Sequence, residues 1–397
     1  MKKVTLTVLV LFLLAAGGIV WFFQSKTSDV STPGEQSSIF DLFFPRQAGT
    51  GDAGEFTPPV GDTEFPTGEI PQLREVASGP ISGAVAFNTT EGVRVRFVDR
   101  ATGNVYQTKP DSLENTRLTD TLIPRIFEAQ WSRLGERVAL RYLDEQGETV
   151  RTFVAPVASS STAVSKLSGA FLPDNISDLA FTDVGLLYAI PSSFGISLVS
   201  AGFDGSKAST FFTSPIRGWR VAPLGKGALV TTRASAGLNG FAYAIVGSSQ
   251  TKILGAVSGL ATLPNREGTE VLVSNGTREG EVAELASLNV KKQSENILPV
   301  RTLAEKCAWA TEHTVYCAVP EFFPAGEYPD DWYRGEIHFR DTLWKIDATQ
   351  GIAEFTASVS ALAGRDIDAI HLSVSNNYLV FINKTDGSLW GLTLKSL

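Results

Sequence analysis

The sequence predicts an all-β fold, a seven-bladed β-propeller, and three observations point there. One short pattern returns about every 40 to 60 residues from position 81 onward. It reads as an apolar residue, a large apolar or aromatic residue five positions on, a turn residue four further, and then a β-rich run. Ile126, Trp131 and Gly135 show it, as do Ile176, Phe181 and Gly185, then Ile216, Val221 and Gly225, and finally Ile367, Leu372 and Asn376. Between these marks the chain reads as strand and turn throughout, and a period of this size built from strands is the signature of propeller blades. The third observation concerns closure. The last unit has room for three strands, near 368–374, 378–383 and 388–395, whereas Leu73-Arg-Glu-Val76 is a spare strand with no local partner. Adding that strand to the outer edge of the last blade closes the ring and covers an exposed edge.

Taken in order, the chain opens with Lys2 and Lys3 ahead of Val4–Phe23, twenty residues without a charge. A helix of that length spans about 30 Å, the thickness of a bilayer core. Ala16-Gly17-Gly18 offers a small-residue cleavage site, but Ile19–Phe23 extends the apolar run beyond it and ends in interfacial aromatics, which favours an uncleaved anchor. No cysteine follows the small residues, so a lipoprotein is excluded. The lysine pair stays in the cytoplasm by the positive-inside rule. The expectation is therefore a single-pass protein of the cytoplasmic membrane with its body on the extracytoplasmic side.

Residues 24–70 are rich in Ser, Thr, Gly, Pro and acids, and 24–75 hold nine acidic against three basic residues of a chain whose net charge is −8. Such a stretch cannot bury enough apolar surface to fold alone and is expected to be a flexible stalk. Ile39–Pro45 interrupts it, with Phe40, Leu42, Phe43 and Phe44 as a candidate linear motif that docks on the protein's own body, on the bilayer or on a partner. The propeller domain is placed at 71–397. Its units begin near 81, 126, 176, 216, 257, 306 and 367. The first has one extra residue and the fifth matches weakly, so six or eight blades remain open. No basic footprint suits phosphate neutralisation, which argues against nucleic acid.

Cys307 and Cys317 are the only cysteines, and a three-residue turn centred on Glu312 places them directly opposite across a hairpin. They are either a disulfide, permissible outside the cytoplasm, or two small buried hydrophobes. One pair ten residues apart gives neither a metal-ligand pattern nor a CxxC motif, and no metal or cofactor is expected. Trp131, Trp309, Trp344 and Trp390 are placed regularly enough to serve packing between blades.

The most unusual segment is an insertion in the sixth unit, 321–339. Tyr328, Asp330, Asp331, Trp332, Tyr333, Arg334 and His338 there form a candidate binding loop, since aromatic faces stack on sugars or peptide side chains while Asp and Arg fix polar groups. The same Tyr-Pro-Asp-Asp run is ordinary turn chemistry, which leaves a purely structural loop as the other reading. Asp178 and Asp368 both stand near the start of their repeats and either face the channel or bond neighbouring backbone. No GxSxG, HExxH or phosphate-cradling glycine loop is present, and no catalytic residue is assigned.

Trp131-Ser132, Gly135 and the apolar run from Val138 resemble the core of WD40-like repeats of the TolB type, although Arg133-Leu134 stands where that class has Pro-Asp. With the anchor, the stalk and the YPDDWY segment, the chain also looks like an uncharacterised group of membrane-anchored bacterial propellers. That resemblance implies a fold and a location. The functional expectation is an interaction or scaffold module of the cell envelope with an envelope protein as partner. The alternative is a propeller hydrolase acting on envelope glycans or peptides.

Overall fold

The computed structural model describes residues 72–158, 164–276 and 284–394. The anchor at 1–23, the stalk at 24–70 and the Phe40, Leu42, Phe43, Phe44 motif lie outside the described residues. Among the described residues no helix is long and apolar enough to cross a membrane.

Seven four-stranded antiparallel sheets follow one another along the chain. Their innermost strands are Ile81–Thr89, Ile126–Trp131, Asp178–Phe181, Trp219–Leu224, Ala261–Pro264, Cys307–Trp309 and Ala369–Ser375. Each sheet is buried on both faces by its neighbours, which is why second strands read as unbroken apolar runs rather than alternating ones. In Tyr378–Asn383 every residue is buried. The core is accordingly divided into clusters that lie between successive blades. One example is Val98, Val105, Leu118, Ile126, Val138 and Leu140 between blades one and two. The blades approach closely where glycine permits it: a Cβ on Gly83 would stand 1.8 Å from the Ala129 carbonyl oxygen in the next blade.

The ring closes as expected. Leu73–Ala77 pairs antiparallel with Leu389–Thr393, Leu73 opposite Leu392 and Glu75 opposite Trp390, so the last blade takes its outer strand from the start of the domain. Blades one and seven share a core that includes Ala86, Val95, Tyr378 and Val380, and the Ala86 amide donates to Ser373 Oγ at 3.0 Å.

The weak fifth unit has a physical explanation. Val257, aligned with the repeat in the sequence, belongs to the outer strand of blade four, Ser249–Ser258, and the inner strand of blade five starts at Ala261 and ends at Pro264. At four residues this inner strand is as short as that of blade three, and only that of blade six is shorter. The tryptophans act as expected: the Trp131 indole donates to the Gly83 carbonyl at 3.3 Å and the Trp309 indole to the Leu263 carbonyl at 3.1 Å, each reaching the preceding blade.

Cys307 and Cys317 are directly opposed, with 4.0 Å between their Cα atoms, and are joined as a disulfide in the core between blades five and six. The insertion runs between the second and third strands of blade six. It carries one short helix, α1 (Asp330–Arg334), whose C-terminus turns through Gly335 at φ 76°. A second short helix, α2 (Val359–Ala363), follows the outer strand of that blade.

Candidate functional site

The insertion lies across one mouth of the propeller channel, and its side chains are mostly spent on holding it there. The Asp330 carboxylate accepts from the Ala236 amide of blade four at 2.6 Å, and Asp331 accepts from the Glu327 amide at 2.7 Å while pairing with Arg334. The Tyr328 carbonyl packs on blade five so closely that a Cβ on Gly276 would meet it at 2.0 Å. Tyr328 is 0% exposed and Trp332 4% exposed, in a small core with Leu303, Ile337 and Phe339. Two of the three aromatics proposed as a ligand surface are therefore interior packing residues. Tyr333 alone presents ring surface, together with Arg334 and His338, which are exposed.

Tyr333 reaches into the channel mouth and donates its hydroxyl to Glu305, which also pairs with Arg220 of blade four. Enclosure there pushes the Tyr333 hydroxyl up to about 12. Below this bridge, Glu128, Asp178, Arg220, Glu305 and His371 line a cavity of about 290 Å³ contributed by blades two, three, four, six and seven. Each is brought there by an innermost strand or the turn entering one. His371 needs a special backbone: the inner strand of blade seven bulges between Ile370 and Ser373, and His371 takes φ 52°, a left-handed conformation that residues with a side chain rarely adopt. That bulge re-aims the imidazole, which remains open to solvent although protein surrounds the channel. Burial pushes its pKa down, opposed by the nearby Glu128 carboxylate and reinforced by Arg220. Burial pushes the Asp178 carboxyl up, with Arg220 and the Val221 amide acting against it.

The channel acids are already occupied. Glu128 pairs with Arg141 and accepts from Gln130 Nε2 at 2.6 Å, and Asp178 accepts from the Val221 amide of the next blade at 2.7 Å. Asp178 thus both lines the channel and bonds neighbouring backbone. Asp368 is not in the channel. It is fully buried beneath the insertion, where it accepts from the Phe339 amide and the Trp332 indole and contacts the ammonium of Lys306. Among the described residues no group of three or more His, Cys, Asp or Glu side chains is placed to hold a metal ion. A more open hollow of about 450 Å³ lies beside the closing strand, lined by Glu75, Ile81, Asp99 and Tyr106 among others. Its Asp99 carboxylate is taken up by Thr102 at 2.6 Å.

Sequence reasoning missed Glu128, Arg220, Glu305 and Lys306, and treated His371 only as one of three histidines. A partial signal existed: Glu128 and Asp178 each stand two residues after the apolar residue that opens their unit. Arg220 and His371 fall out of that phase, and the bulge responsible for His371 has no mark in the sequence.

No family model matches this chain, and no curated protein matches it. Solved structures do. The β-propeller domain of the Trilobed protease from Pyrococcus furiosus, described as having an open velcro topology, is 12% identical with a TM-score of 0.51, over 79% of this chain and 95% of that one. The β-propeller domain of Cps50 (Swd1) from Myceliophteria thermophila is 11% identical with a TM-score of 0.50, over 81% of this chain and 100% of that one. TolB from Acinetobacter baumannii is 11% identical with a TM-score of 0.38, over 82% of this chain and 66% of that one. At these identities the likeness concerns the fold alone. The chain is a seven-bladed β-propeller, and the propeller domains of the first two share that class of fold.

Proposed function

We propose that the protein is an interaction module of the cell envelope, tethered through 4–23 to the cytoplasmic membrane with its propeller on the extracytoplasmic side. The observation that supports this most is a row of uncovered apolar side chains on the outer strands of blades five and six. Ile297 is 66% exposed, Ile352 53% and Phe355 57%. The strand Ser294–Arg301 is tied to blade six near that rim by Asn296, whose amide donates at 3.0 Å to the Ala348 carbonyl in the turn that leads into Ile352–Ala357. Outermost strands are paired on one side only, and an apolar free edge is the surface to which an extended segment of a partner protein adds. The test is proximity crosslinking from the intact membrane-bound protein with identification of what is captured. A reproducible envelope protein is the expected result, and capture that is unaltered by Phe355→Glu would remove this surface from the proposal.

A hydrolase acting on envelope glycans or peptides is the second reading, favoured by the convergence of Glu128, Asp178 and the strained His371 in one cavity. Hydrolysis by a carboxylate pair needs one acid free to protonate the leaving group and one free to activate water. The pairing of Glu128 with Arg141 and of Asp178 with the Val221 amide works against it. Turnover of peptidoglycan fragments or envelope peptides that Glu128→Gln abolishes would move the assignment to this reading.

A further inference from the structure

We propose that Lys306 and Asp368 form an intramolecular isopeptide bond that covalently joins blades six and seven beneath the insertion. The side-chain cluster there holds the parts such a condensation requires. Lys306 and both carboxylates near it, Asp341 and Asp368, are 0% exposed. The Lys306 Nζ contacts Asp368 Oδ1, and donates to Asp341 Oδ2 at 2.8 Å and to the Ala369 carbonyl at 3.1 Å. Trp332 and Phe339 face the same nitrogen, at 5.2 and 5.0 Å from their ring centres, so the cluster is walled by aromatics and closed to water.

The far oxygen of the acceptor is equally well placed. Asp368 Oδ2 accepts from the Trp332 indole at 2.9 Å and from the Phe339 amide at 3.2 Å. Two donors fixed on one carboxyl oxygen are the arrangement that stabilises the oxyanion of a tetrahedral intermediate. Asp341 supplies the remaining role. Its Oδ1 has no hydrogen-bond partner, and burial pushes its carboxyl up to about 6, against the pull of Lys306, so it can exchange protons with a neighbour near neutral pH.

The step balances without any co-reactant. The Lys306 ammonium passes one proton to Asp341, which hands it to Asp368 Oδ1. The freed amine attacks Cγ of the now neutral Asp368 carboxyl, forming the C–N bond and placing negative charge on Oδ2 in front of Trp332 and Phe339. Asp341, again a carboxylate, takes a second proton from the nitrogen and delivers it to Oδ1, the Cγ–Oδ1 bond breaks, and one water leaves. The nitrogen keeps its last proton as an amide, and Asp341 returns to a carboxylate. A fully buried ion pair, costly to desolvate, is thereby replaced by a neutral amide.

The test is mass analysis of the full chain with peptide mapping, so that processing at the N-terminus does not enter the result. The expected outcome is the loss of one water, beyond the two hydrogens of the disulfide, and a branched peptide that links Lys306 to Asp368. Asp368→Asn should change the loss from water to ammonia, because ammonia is then the leaving group. Asp341→Asn should leave both peptides linear in a chain that still shows the β-sheet circular dichroism of the parent. Linear peptides covering Lys306 and Asp368 in the folded parent protein would overturn the proposal. So would a water loss that maps to Asp341, or to a cyclic imide at Asp204-Gly205 or Asp386-Gly387.

Discussion

His371 and Asp178 show what single residues give up for their place in the channel. His371 holds a left-handed backbone that costs a residue with a Cβ about 1–2 kcal/mol. His371→Gly is therefore expected to raise the urea midpoint of unfolding, and unchanged stability would mean the bulge carries no strain. Asp178 gives a pH dependence with a definite sign. Its folded carboxyl lies above the ordinary range because of burial, so the folded protein binds the proton more tightly than the unfolded chain. Its contribution to stability is fully present below the ordinary carboxylate range and is lost as pH rises through the folded value. Asp178→Asn keeps an acceptor oxygen for the Val221 amide, and should flatten that loss when denaturation midpoints are compared across pH.

Among the elements, the closing strand and the Cys307–Cys317 hairpin were legible in the sequence for the same reason. Each depends on local pattern plus one count: a blade one strand short, or a turn of known length. Leu73 packs in the core between blades six and seven, so Leu73→Asp buries a charge at the clasp and should cost about 3 kcal/mol or more and expose the edge of blade seven to association. Light scattering and thermal melting would report both effects. Replacing both cysteines by alanine should cost about 2–4 kcal/mol in a chain unfolded under oxidising conditions. The insertion was only half legible. Its composition marked it as special, but whether Trp332 faces water or core is settled by Asp368, 36 residues away, together with Phe339 at the end of the insertion, and no local pattern carries that. Trp332→Ala should destabilise the protein by about 3–5 kcal/mol, as removal of a core aromatic does, rather than act as a surface change.

On the scale of the whole molecule, period and blade count could be read in advance because every blade repeats the same demand, a sheet buried on both faces. The channel could not, since its lining is gathered from six different blades, and their convergence exists only once the ring has closed. The same ring leaves outer edges uncovered, and the apolar row at Ile297, Ile352 and Phe355 is where the proposed interaction is placed. The most direct measurement is proximity capture by the full chain in intact cells, compared across the parent chain, an Ile297→Glu/Phe355→Glu variant and Tyr333→Ala. Binding at the rim predicts one recurrent envelope protein with the parent and with Tyr333→Ala, lost in the rim variant. Capture of the same protein by the rim variant, or no recurrent protein with the parent chain, would contradict it.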